Sequence, residues 1–117
     1  MRETNDHVWV NELPVAITVC DANGIIVDMN ERAAETFQNE GGRALIGTDV
    51  LACHPEPART KLGRLLASKQ QNVYTIEKRG VKKLIYQSPW FEDGRYAGFV
   101  EFSFELPADI PHFVREG

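Results

Sequence analysis

The chain has 117 residues, 43% of them hydrophobic and 26% charged, with a formal net charge of −4. That length gives one domain with a modest core that needs no disulfide or structural metal, and the acidic balance excludes the basic surface that nucleic-acid binding requires. No apolar run approaches the roughly 20 residues of a membrane helix. The start, "MRETNDHVW", has neither the apolar stretch nor the small-residue cleavage site of a signal peptide.

Along the chain, Asp6 is placed to cap a short helix in which Trp9 and Leu13 share a face and which Pro14 ends. "PVAITVC" and "IIVDMN" read as strands joined by "DANG", where Asn23-Gly24 is a hairpin signal because both residues tolerate positive φ. Asn30 caps "ERAAETF", with Ala33, Ala34 and Phe37 on one face. Gly41-Gly42 breaks the chain. "ALIG" and "TDVLA" read as short helical turns, the first stopped by Gly47.

The stretch "LACHPEPARTKL" sets Cys53 beside His54, between two prolines and ahead of an amphipathic helix marked by Ala58, Leu62, Leu65 and Leu66. The period then changes to two. "NVYTIEK", "KKLIYQSPWF" and "RYAGFVEFSFEL" are expected to form a three-stranded meander turning at Gly80 and Asp93-Gly94. In the last strand Tyr96, Gly98, Val100, Phe102 and Phe104 take one face. Phe99, Glu101, Ser103 and Glu105 take the other, read as the outer one. Lys78-Arg79 and Lys82-Lys83 are the solvated flanks of a turn. Strands at both ends with helices between them predict an α+β domain, an antiparallel sheet with helices packed on one face.

"LPVAITVCDANGIIVDMNERAAETF", "LIGTDVLACHP" and "DGRYAGFVEFSFEL", in that order, resemble the PAS sensor family over roughly residues 13–106. The resemblance implies a five-stranded antiparallel sheet of order 2-1-5-4-3, with short helices cupped over one face. It divides the chain into an N-terminal helical segment, 1–13, a PAS-like domain, 14–106, and an exit segment, 107–117. PAS domains hold haem, flavin, a chromophore or a metabolite in the cup, or hold nothing, and pass a change to attached domains or a dimer partner. By that resemblance the chain is a non-enzymatic sensory or signal-transduction domain that binds a small ligand, a protein partner or both, in bacterial signalling or transcription regulation. A haem sensor, a small-molecule carrier and a cup-shaped α+β enzyme are the alternatives. With no room for an output domain, the chain is expected to act through a partner or to be part of a longer protein.

The candidate cup lining is Met29, Phe37, Ile46, Leu51, Leu62, Leu66, Tyr86 and Phe102, mostly apolar with one hydroxyl, which suits a small apolar ligand. Trp90 and Phe104 are read as core filling beside them. Cys53 lies near the adduct-forming cysteine of the flavin-binding branch, but Ala52, His54 and Pro55 depart from that branch's pattern. It is therefore read as a buried, unreactive thiol. His54 has too few neighbours for zinc, so no metal site is expected. It is read as a structural residue at the entrance of the following helix, with haem ligation as its alternative role. No catalytic set is evident, and the cofactor is left unknown. Trp9 and Val10 predict a homodimer through the leading helix, with Phe99 as its landing place on the outer sheet face. The two cysteines, Cys20 and Cys53, do not make a disulfide framework and point to a reducing cytoplasm.

Overall fold

The computed structural model describes residues 7–117, apart from the Cys53 side chain. A 3₁₀ turn at Val8–Val10 leads into β1 (Ala16–Asp21) and β2 (Ile26–Met29). After them come α1 (Glu31–Thr36), 3₁₀ turns at Gln38–Glu40, Gly42–Leu45 and Val50–Cys53, and α2 (Ala58–Ser68). The chain closes with β3 (Asn72–Lys78), β4 (Val81–Glu92) and β5 (Arg95–Leu106). The sheet is antiparallel throughout, in the order β2-β1-β5-β4-β3. That is the arrangement expected from the sequence.

Two local expectations are corrected. The leading segment forms one tight turn rather than a helix reaching Pro14, and its proposed cap, Asp6, lies outside the described residues. The β1–β2 connection is not a two-residue Asn-Gly turn. Asp21 Oδ1 accepts from the backbone N–H groups of Asn23 and Ile25 at 2.9 and 3.0 Å, and only Gly24 takes positive φ, at 80°. A side chain that mimics a turn carbonyl favours this longer loop over the tight one. By contrast, Arg79-Gly80 and Asp93-Gly94 have φ of 54°, 79°, 51° and 78°, the double positive φ of a type I′ hairpin turn.

Asn30 caps α1 as its sequence suggests. Its Oδ1 accepts from Ala33 N–H at 3.0 Å and also from Ile17 N–H at 3.0 Å. Its Nδ2 donates to the carbonyls of Val10 and Val15 at 2.8 and 2.7 Å. The core lies between the helical side and the sheet, around Ala16, Cys20, Ile26, Met29, Ala33, Val50, Leu62 and Phe99.

Near the start of β5 the backbone of β1 passes close by. The Trp90 indole N–H crosses Gly98 to donate to the Cys20 carbonyl at 3.1 Å. A Cβ at position 98 would overlap that carbonyl oxygen and stand 2.8 Å from the Trp90 indole nitrogen. Only glycine lets three strands meet there. Gly98→Ala should therefore cost about 2–4 kcal/mol of folding stability, measured by urea denaturation; a change within about 0.5 kcal/mol would show that the contact can relax.

Candidate functional site

β1, β5 and β4 turn alternate side chains toward the helices. Thr18 and Cys20, Phe99 and Glu101, and Gln87 face a small void whose other walls are Ile26, Met29, Phe37, Leu45, Val50, His54 and Leu62. The void measures about 30 Å³, room for roughly two water molecules. Pockets that enclose a metabolite run to about 300–1,000 Å³. The cup is thus nearly filled by its own side chains.

Of the expected lining, Met29, Phe37 and Leu62 reach the void, and His54 joins them. The other five do not. Ile46 is 38% exposed, and its neighbour Leu45 takes the inward place. The stretch 42–45 is a 3₁₀ turn whose period differs from that of an α-helix. Leu51 and Leu66 pack against the outside of the core cluster. Tyr86 and Phe102 stand opposite each other on β4 and β5, with ring centroids 6.2 Å apart, on the face away from Gln87, Phe99 and Glu101.

The two faces of β5 are therefore the reverse of the expectation. Phe99, 4% exposed, is the inward aromatic and no landing place for a partner. Glu101, read as solvent-facing, lines the cup. Trp90 and, by strand alternation, Phe104 belong with the outer set. The sequence misleads here because the outer face is the more apolar one, while the inner face carries Glu101 and Ser103.

Glu101 is held by a polar ladder. Asn72 Nδ2 donates to Gln87 Oε1 at 2.9 Å, and Gln87 Nε2 donates to Glu101 Oε2 at 2.8 Å. Gln87 is 6% exposed, and both its amide oxygen and its amide nitrogen are bonded. Burial, with the Glu101 charge beside it, raises the Tyr74 hydroxyl above the ordinary tyrosine range. A second void, of about 70 Å³, opens between α2 and β3, lined by Ala58, Lys61, Leu65, Asn72 and Tyr74. It shares His54, Leu62 and Gln87 with the inner one.

His54 closes the 3₁₀ turn that precedes it instead of opening α2. Its Nδ1 lies 2.8 Å from the Val50 carbonyl. A carbonyl only accepts, so Nδ1 carries the proton and neutral His54 keeps Nε2 as an acceptor. The entrance of α2 is served by Glu56, whose Oε1 accepts from Thr60 N–H at 3.0 Å and from the Thr60 hydroxyl at 2.7 Å. Those bonds hold its carboxyl below the usual range. Of the two prolines, Pro57 stands at the cap of α2, while Pro55 precedes it. The inward packing expected of Cys53 falls outside the described side chains.

A metal-ligating imidazole usually has its other nitrogen tied to a carbonyl in the way His54 Nδ1 is. A porphyrin nevertheless does not fit a void of about 30 Å³. Among the described residues, no three His, Cys, Asp or Glu side chains are grouped to hold a metal ion.

The sequence matches the family model described as the PAS fold over residues 10–106. No curated protein matches it. Solved structures of similar shape include the PAS domain of BvgS from Bordetella pertussis, with a TM-score of 0.62, 15% identity and 86% and 82% of the two chains covered. A sensory box sensor histidine kinase from Vibrio cholerae gives 0.58, 18%, 85% and 87%. The Aer2 receptor of Vibrio cholerae, described as a dual PAS-heme oxygen sensor, gives 0.56, 14%, 80% and 95%. At such identities the likeness to these structures is one of fold. With its sheet order and the family match over most of its length, the chain belongs to the PAS fold family.

Proposed function

We propose that this PAS domain is a non-enzymatic signalling module that works as a homodimer through the outer face of its sheet, in the bacterial cytoplasm. The observation that carries the reading is the contrast between the two faces. The inner face packs on the helices around a nearly filled cup. The outer face presents half-buried Ile17, Val19, Tyr86, Val100 and Phe102, while α1, α2 and the turn at Val50–Cys53 serve the other side.

A second apolar patch lies on the same molecule. Val8 and Trp9 are each 65% exposed, and the backbone that carries them is anchored. The Val10 carbonyl accepts from Asn30, and the Asn11 carbonyl accepts from Glu31 N–H at 3.0 Å. A two-fold arrangement that lays this segment on the partner's sheet buries both patches together. The partner, or a domain joined to the chain, then receives the signal.

Replacing both Val8 and Trp9 by serine keeps those backbone bonds and removes the apolar surface. Light scattering should show the dimer reduced to monomer, and Phe102→Glu should do the same. Dimers that survive both changes would remove the reading.

A small apolar ligand is the second reading, supported by the void's Cys20, Ile26, Met29 and Phe99 walls. It requires the cup to widen, and the void at the α2–β3 seam is the natural place. Benzene, toluene or indole at saturation should then raise the melting temperature; no shift with any of the three would leave the cup as plain core.

Haem ligation by His54 has its own test. His54→Ala should cost about 1 kcal/mol, the worth of the bond to the Val50 carbonyl, and should leave the absorbance of hemin-treated protein unchanged. A sharp Soret band in the wild type that His54→Ala abolishes would make the domain a haem sensor.

A further inference from the structure

The two edges of the sheet are finished differently. The β2 edge is covered by the segment at 47–50: Ile26 N–H donates to the Thr48 carbonyl at 2.9 Å, Gly47 N–H to the Ile26 carbonyl at 2.7 Å, and Val50 N–H to the Gly24 carbonyl at 2.8 Å. No such cover lies on β3 among the described residues. β3 has no proline, and its register with β4 runs from Asn72↔Gln87 to Lys78↔Val81 without a bulge. Its apolar residues stand in solvent: Val73 is 50%, Tyr74 39% and Ile76 42% exposed. A regular edge of this kind, charged only at its Glu77-Lys78 end, is a template for another strand.

The hairpin turn fixes which backbone groups are free. Lys78 and Val81 flank the type I′ turn and close it with a hydrogen bond. Alternation along an antiparallel ladder then spends the N–H and C=O groups of Lys78, Ile76, Tyr74 and Asn72 on β4. Those of Val73, Thr75 and Glu77 point outward from the edge.

These three residues are spaced symmetrically about Thr75, the middle of the seven-residue strand. Antiparallel pairing of β3 with itself, centred there, sets Thr75 against Thr75 and Val73 against Glu77 as hydrogen-bonded pairs. Every free edge group is used. Tyr74 then faces Ile76 twice, in the closer non-hydrogen-bonded pairs where an aromatic and a β-branched side chain pack well. The charges agree with this register. Glu77 meets Val73 and Lys78 meets Asn72, so no like charges stand opposite each other.

We propose that β3 is a self-association edge, pairing antiparallel with β3 of a second copy about Thr75 to join two sheets into one. The occupant is a copy of this chain because the strand matches its own reverse in bonding groups, apolar pairs and charge. This contact does not depend on the outer-face dimer.

The test is site-specific cross-linking of the full chain. Two Thr75 Cα atoms would lie about 5.5 Å apart across the axis, within disulfide range. Two Val73 Cα atoms would be offset by four residues, about 13 Å, beyond it. Mild oxidation of Thr75→Cys should give a covalent dimer that mass spectrometry maps to a 75–75 bond. Val73→Cys should give none, and wild type, with Cys20 and Cys53 in place, should give no such product. The 75–75 bond should persist when Val8 and Trp9 are both serine, separating this contact from the outer-face one. A Thr75→Cys protein that folds by circular dichroism yet stays monomeric would overturn the proposal. So would equal cross-linking of Val73→Cys.

Discussion

One buried amide holds the domain's entry together. Asn30, 3% exposed, links the leading turn, the start of β1, the end of β2 and the first turn of α1 through four side-chain hydrogen bonds. Its backbone N–H adds a bond to the Ile17 carbonyl at 3.1 Å. Two of the side-chain bonds are donated and two accepted. A carboxylate has no donor for the Val10 and Val15 carbonyls, and a hydroxyl has only one. Without this amide two buried carbonyls and two N–H groups would be left to find water, at a cost of about 1–3 kcal/mol each. The outer-face dimer depends on it, because it fixes where Val8 and Trp9 stand relative to the sheet.

From that corner the stiffness of the molecule grades across the sheet. β1, β2 and α1 contribute most of the buried core: Ala16, Cys20, Ile26, Met29 and Ala33. Toward the other edge burial thins. α2 buries only Leu62, and β3 has no buried residue at all. The polar ladder of Asn72, Gln87 and Glu101 ties β3 to the centre of the cup where apolar contact is sparse. Regions with few buried contacts open at the lowest free energy. The α2–β3 side is therefore where a ligand would enter and where a partner strand would add most order.

Much of this was legible in the sequence. Apolar runs around Asn23-Gly24 mark the first two strands, period-two runs mark the last three, the Gly80 and Asp93-Gly94 turns fix the meander, and Asn30 declares itself as a cap. The inside of the cup was less legible, for a specific reason. On β5 both faces carry aromatics, and period two assigns partners to a face without saying which face is inside. The choice was made by apolar content, which favours Phe102 over Phe99. The structure reverses it, because Glu101 is accepted inside through Gln87, a residue 14 positions away. No local pattern contains that bond. Ile46 and Leu45 exchange places for a smaller reason, because the short helical turn there is a 3₁₀ turn ending at Leu45.

Cys53-His54 shows how a conspicuous pair of residues can be positioned by its surroundings more than by its chemistry. The expectation put His54 at the start of α2 because two prolines suit a first turn. In the structure Glu56 lies closer to that entrance and presents a carboxylate, the better partner for helix N–H groups and their dipole. His54 is left to the end of the preceding turn, where it donates to a carbonyl. With Nδ1 engaged there, the ring stands at the wall shared by the inner void and the α2–β3 opening. A residue kept for structure thus also brings the cup's one histidine among the described residues to the wall it shares with the α2–β3 void.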